Sequence, residues 1–139
     1  MSARVAFLQA PPDVISDAEI IVCRPPDALG FIADAARGDR HAARVLVSVN
    51  DLLNRLDAAP HRPSLVCAGC QQPIRPGVAC SFVMWLPEDE SVPCGLVAAV
   101  CRRCATSRAQ VRRKALAALK VEMPRLRVVE ATHGNGGRA

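Results

Sequence analysis

Two short motifs carry most of the chemistry legible in this chain: Cys67-Ala-Gly-Cys70 and, after thirty intervening residues, Cys101-Arg-Arg-Cys104. Zinc takes four ligands in a tetrahedron and accepts thiolates at about 2.3 Å. Two residues between cysteines let one tight turn present both sulfurs to the same ion, so two such turns supply a closed shell. Gly69 stands where a turn of this kind needs a positive φ or a close backbone approach. The second pair directly precedes a helical pattern, where free N–H groups and the helix dipole favour thiolate. Arg102 and Arg103 add positive charge beside what would be an anionic tetrathiolate. The competing reading, unconnected buried thiols, requires two independent Cys-x-x-Cys pairs within 38 residues to share no purpose. The spacing predicts one structural Zn2+ held by Cys67, Cys70, Cys101 and Cys104. Iron held by four thiolates, or an iron–sulfur cluster, is the neighbouring chemistry.

Other chemistries find less support. A thioredoxin-like redox site uses one pair in a βαβ setting. Haem attachment needs a His after the second Cys, and here stand Gln71 and Ala105. A zinc deaminase needs His-x-Glu, which the chain lacks. Catalytic zinc keeps one position open, whereas four thiolates close the shell. The expectation is a protein that is not an enzyme.

Three cysteines and three histidines lie outside the motifs. A hairpin folded about Glu90 would set Cys80 roughly opposite Cys101, close enough to stand in as a ligand; a small buried hydrophobe is the plainer reading. Cys23 and Cys94 read as core or surface thiols, and His61 as a solvated linker residue. His41 and His133 carry no signal.

These residues need elements to position them. Residues 4–9 and 19–24 read as short strands bounded by prolines. Asp27 to Arg37 has helical spacing, with Gly38 to close it and Asp39 to cap the next helix. That helix, about Arg40 to Leu56, carries a stripe of Ala42, Val45, Leu46, Val49, Leu52, Leu53 and Leu56. The short turn between the two favours an antiparallel pair, and Phe31, Ile32, Leu46 and Leu53 read as core. Residues 57–64 read as a linker. A strand-and-turn segment holds Cys67 and Cys70; strands at 77–87 and 94–101 form a hairpin around an acidic loop. A helix follows from about Cys104 to Val121, with Thr106 or Ser107 near its start and Pro124 beyond its end. Residues 125–131 suit a last strand, and 132–139 a flexible tail.

Knuckle, hairpin, then a cysteine pair at a helix start is an order similar to that of treble-clef zinc fingers; the zinc ribbon, with both pairs on hairpin turns, is its neighbour. The resemblance spans residues 64–121 and rests on spacing and element order. It implies a structural metal used for nucleic-acid binding, protein contacts or both. The fold class expected is α+β: an N-terminal helical region with short strands (1–60), a four-cysteine finger (61–131) and a tail (132–139).

Charge is unevenly spread. Residues 1–61 hold six Lys/Arg against eight Asp/Glu, whereas 62–139 hold twelve against five. From Cys101 to Arg127 nine Lys/Arg face a single acid, Glu122. Val111, Ala115, Ala118 and Leu119 share one side of the predicted helix, which can dock while basic residues face outward. Arg102, Arg103, Arg108, Arg112, Arg113 and Lys114 are therefore candidate contacts to the phosphates of DNA or RNA. The alternatives are a protein partner, bound through the helical pair, or attraction to the chain's own acidic half. With no Tyr and three Phe, base stacking on single strands is poorly served. No apolar run reaches the roughly 20 residues a membrane span needs, and grouped cysteines without a signal-peptide pattern point to a reducing cytoplasm.

Overall fold

A computed structural model describes residues 5–7, 11–58, 65–75, 77–91 and 95–130. His61, Cys94, His133, most of the expected linker and the expected tail lie outside the described residues.

The chain mixes helix and sheet. Strands β1 (Val5–Phe7), β2 (Val14–Ser16) and β3 (Ile20–Cys23) precede helices α1 (Pro25–Ala36) and α2 (Arg40–Ala58). Short strands β4 (Leu65–Val66) and β5 (Pro73–Ile74), hairpin strands β6 (Cys80–Trp85) and β7 (Leu96–Cys101), helix α3 (Arg108–Glu122) and strand β8 (Arg127–Val129) complete it. The main sheet runs β1-β7-β6-β3, with each neighbouring pair antiparallel. Strands from before the helical pair thus flank the hairpin on both edges, so the sheet draws on both halves of the chain. These long-range pairings leave no local trace in the sequence, which is why the short strands are easy to see and their partners are not.

Side chains alternate across a strand, and the sheet packs a different helix on each face. Ile20, Val22, Val83, Trp85, Ala98 and Val100 pack with Val111, Ala115, Ala118 and Leu119 of α3. Cys23, Met84 and Val97 pack instead with Val45 and Leu52 of α2. The stripe expected for α3 is the set that α3 buries. Arg127 of β8 pairs with Val14 of β2 in a small parallel ladder beyond the sheet.

Two expectations about helices need correction. The residues read as core in the helical pair are only partly so: Phe31 and Leu46 are half-buried, while Ile32 is 51% and Leu53 45% exposed. Helix α1 buries no residue: it leans mainly on α2, with Phe31 packed against the core on that side of the sheet. The helix after the second cysteine pair begins at Arg108, not near Cys104. Ser107 is extended (φ −157°) and its hydroxyl accepts from the Gln110 amide at 3.2 Å, which fixes the helix start.

Candidate metal centre

The first cysteine turn is built onto the sheet. Strand β1 covers the edge of β7 from Leu96 to Ala98. Where it ends, the chain at Cys67 takes over: the Ala68 amide donates to the Ala99 carbonyl at 2.8 Å, and Cys67 bridges Ala99. Two residues on, the Cys101 amide donates to Cys67 Sγ at 3.2 Å. The Gly69 amide donates to the same sulfur at 3.3 Å. Strands β4 and β5 pair Leu65 with Ile74 and Val66 with Pro73, clamping the base of the turn.

Within that turn the special conformation falls on Gln71, at φ 63°, whose amide donates to the Cys67 carbonyl at 2.9 Å. Gly69 meets the other expectation, close approach. A Cβ placed on it would lie 3.0 Å from Cys104 Sγ and 3.0 Å from Lys114 Cδ. The Lys114 stem, on α3, therefore packs against the turn.

The second pair occupies a turn of its own at the end of β7. The Cys104 amide donates to the Cys101 carbonyl at 3.1 Å, and the Ala105 amide to the same carbonyl at 3.0 Å. Cys104 is separated from α3 by Ala105, Thr106 and Ser107, so it does not stand on the first turn of the helix.

All four sulfurs lie within 4.8 Å of one another, with Cys70 and Cys101 at 3.8 Å. A tetrahedron with arms of about 2.3 Å has sulfur–sulfur edges of about 3.8 Å, so the donor set fits one thiolate-bound ion with slight contraction. Cys67 and Cys104 are buried, Cys101 is half-buried and Cys70 is exposed. Burial alone would raise the Cys67 thiol, but the amides of Cys101, Cys70 and Gly69 together bring it down to about 7. Burial first, then the neighbouring sulfurs, push Cys104 up to about 12. Backbone donors thus favour the thiolate at Cys67, and a bound cation would favour it at Cys104.

Cys80 is the register partner of Cys101, as a hairpin folded about Glu90 requires. Its thiol is pushed up to about 11, by burial and then by the charge of Cys67 and Cys101. It stands beside the four-sulfur cluster without belonging to it. Cys23 is buried against Met84 and Val97, and His41 is exposed on α2.

The six basic candidates divide in two. Arg108 donates to the Val22 carbonyl at 3.0 Å and to Asp27 at 2.7 Å. Arg112 reaches the Asp17 carbonyl at 3.4 Å and its carboxylate at 4.0 Å. Both tie α3 to the acidic N-terminal half. Arg102 and Arg103 are exposed on the second cysteine turn, Arg113 is exposed and held by Gln110, and Lys114 is half-buried. No helix among the described residues is long and apolar enough to cross a membrane. Comparison of the chain with family models, with curated proteins and with solved structures gives no match.

Proposed function

We propose that this chain is a zinc-organised, non-enzymatic module that binds nucleic acid through the basic surface around its metal centre. The convergence of four sulfurs to within 4.8 Å carries the metal part of this reading. Zinc is favoured over iron because neither cysteine pair has the Pro and Gly neighbours usual in rubredoxin-type knuckles, and a closed shell leaves no position for a reacting water. Knuckle, hairpin and helix follow one another as in a treble clef, with the difference that the second pair turns before the helix begins. Grouped cysteines used for a metal rather than for disulfides suit a reducing compartment, which supports a cytoplasmic setting.

Arg102 and Arg103 support the nucleic-acid part, joined by Arg113 and Lys114, since none of the four is paired with a carboxylate among the described residues. Arg108 and Arg112 contribute less in this reading, because reaching phosphate would mean leaving Asp27 and Asp17. Affinity for DNA or RNA falls steeply between low and physiological salt. Arg102→Gln and Arg103→Gln weaken binding across sequences, while Arg108→Gln mainly lowers stability. Salt-independent binding, or none at low salt, refutes the proposal.

A protein partner is favoured by a different observation. Leu29 (76% exposed), Val47, Ile32 and Leu53 leave apolar surface on the α1–α2 pair. If this surface is the functional one, Leu53→Glu abolishes co-purification of a partner and leaves nucleic-acid affinity unchanged.

A further inference from the structure

Where β3 ends and α1 begins, the edge of the sheet falls away beside the Cys101–Cys104 turn. A cavity of about 160 Å³ opens there, lined by Arg24, Pro25, Pro26, Ser81 and Arg102 among others. Two buried polar atoms at this place have no hydrogen-bond partner: Nε of Arg24 and Oγ of Ser81. Ser81 is fully buried. Unpaired buried donors are costly and rare in folded proteins, and each calls for an explanation. Among the described residues neither Arg24 nor Arg102 is ion-paired. Asp27, whose carboxylate accepts from the Arg24 amide at 2.9 Å, is engaged by Arg108 and does not line the cavity.

The first residues of α1 border the same space. Pro25 and Pro26 have no N–H to offer, so this helix end supplies the positive end of its dipole but no amide donor there. The donors come from side chains on three separate segments: Arg24 at the β3–α1 junction, Ser81 on β6 and Arg102 on the cysteine turn.

We propose that this notch binds a tetrahedral oxyanion of the phosphate class, held by the guanidinium groups of Arg24 and Arg102 and the hydroxyl of Ser81. Three donor groups from three segments match a group with three free oxygens, and guanidinium is the side chain best suited to it. A carboxylate offers two. Free phosphate and a terminal phosphate monoester share this chemistry, whereas an internal phosphodiester has two free oxygens. The proposal does not depend on nucleic-acid binding by the exposed arginines.

The test is calorimetric titration of the full, metal-loaded chain with inorganic phosphate, with acetate at matched ionic strength as comparison. Saturable binding of one phosphate per chain is expected, with no response to acetate. Arg24→Gln and Arg102→Gln weaken it about tenfold or more, whereas Arg55→Gln, on an exposed part of α2, leaves it unchanged. Ser81→Ala weakens phosphate binding and raises the melting temperature of the phosphate-free protein, because it removes an unpaired hydroxyl. A purely structural serine would show the opposite shift. Tighter binding of a 5′-phosphorylated dinucleotide than of its 5′-hydroxyl form assigns the site to a terminal phosphate; equal binding of the two assigns it to the free anion. Absence of saturable binding, an equal response to acetate, or equal weakening by Arg55→Gln overturns the proposal.

Discussion

The amide of Cys101 donates to the sulfur of Cys67 at 3.2 Å, joining the second cysteine turn to the first by a backbone-to-side-chain hydrogen bond rather than through any ion. Cys67 is buried and takes a second amide from Gly69, whereas Cys70 is exposed. The two sulfurs of the first turn are therefore not equivalent. Cys67→Ala leaves the buried amides that point at its sulfur without their acceptor, costing about 1–3 kcal/mol beyond the lost ligand. Cys70→Ala loses the ligand and the Gln72 amide that points at its sulfur, but at an exposed position where water can replace that contact. Denaturant unfolding of both variants at saturating zinc is expected to place Cys67→Ala lower.

Glycine substitutions separate the centre from the helices. Gly69→Ala forces a methyl to within 3.0 Å of Cys104 Sγ and Lys114 Cδ. The lysine stem can move; the sulfur cannot without opening the tetrahedron. A loss of about 1–3 kcal/mol and weaker metal binding in a chelator competition are expected. Gly30 lies within α1 with nothing inside 4 Å of its added Cβ. Gly30→Ala gains about 0.5–1 kcal/mol in the same unfolding assay.

Left-handed backbone at Gln71 makes a third contrast. A β-branched side chain is strained at φ 63°, so Gln71→Val costs about 1–2 kcal/mol. Gln71→Gly relieves the strain and holds stability within about 0.5 kcal/mol of the parent, since greater freedom in the unfolded chain offsets the gain. Thermal midpoints of the two variants are expected to differ in that order.

Arg108 and Asp27 approach to 2.7 Å with side chains 56% and 26% exposed. A half-solvated pair of this kind is worth about 0.5–1 kcal/mol and weakens with salt. A double-mutant cycle of Arg108→Gln and Asp27→Asn is expected to return that coupling. Arg108→Lys is not expected to restore it in full. The guanidinium reaches the Val22 carbonyl and the carboxylate with separate nitrogens, which one ammonium replaces poorly.

The local patterns were readable in the sequence. The α3 stripe, the Cys80–Cys101 register and the convergence of two Cys-x-x-Cys turns all follow from short-range spacing and one hairpin. What escaped reading depends on distance along the chain. Ile20 to Cys23 shows strand composition, but nothing nearby says that it pairs with Phe82 to Trp85. Attraction of the basic helix to the chain's own acidic half is legible in the charge balance, but the partners are not, because Asp27 and Asp17 lie some 80 to 95 residues from Arg108 and Arg112. Periodicity alone carries the helix back to Cys104, because it does not mark where a cap interrupts it; Ser107, one of the two capping residues near the start, does. The unpaired groups of Arg24 and Ser81 have no sequence signature at all, being defined by what fails to surround them.

The most direct measurement is the metal content of the intact chain purified without added metal, read by native mass spectrometry alongside circular dichroism before and after chelation. One zinc per chain is predicted, with loss of helical and sheet signal on its removal and recovery when zinc is restored. A metal-free protein that keeps its full signal in the presence of chelator would contradict the account.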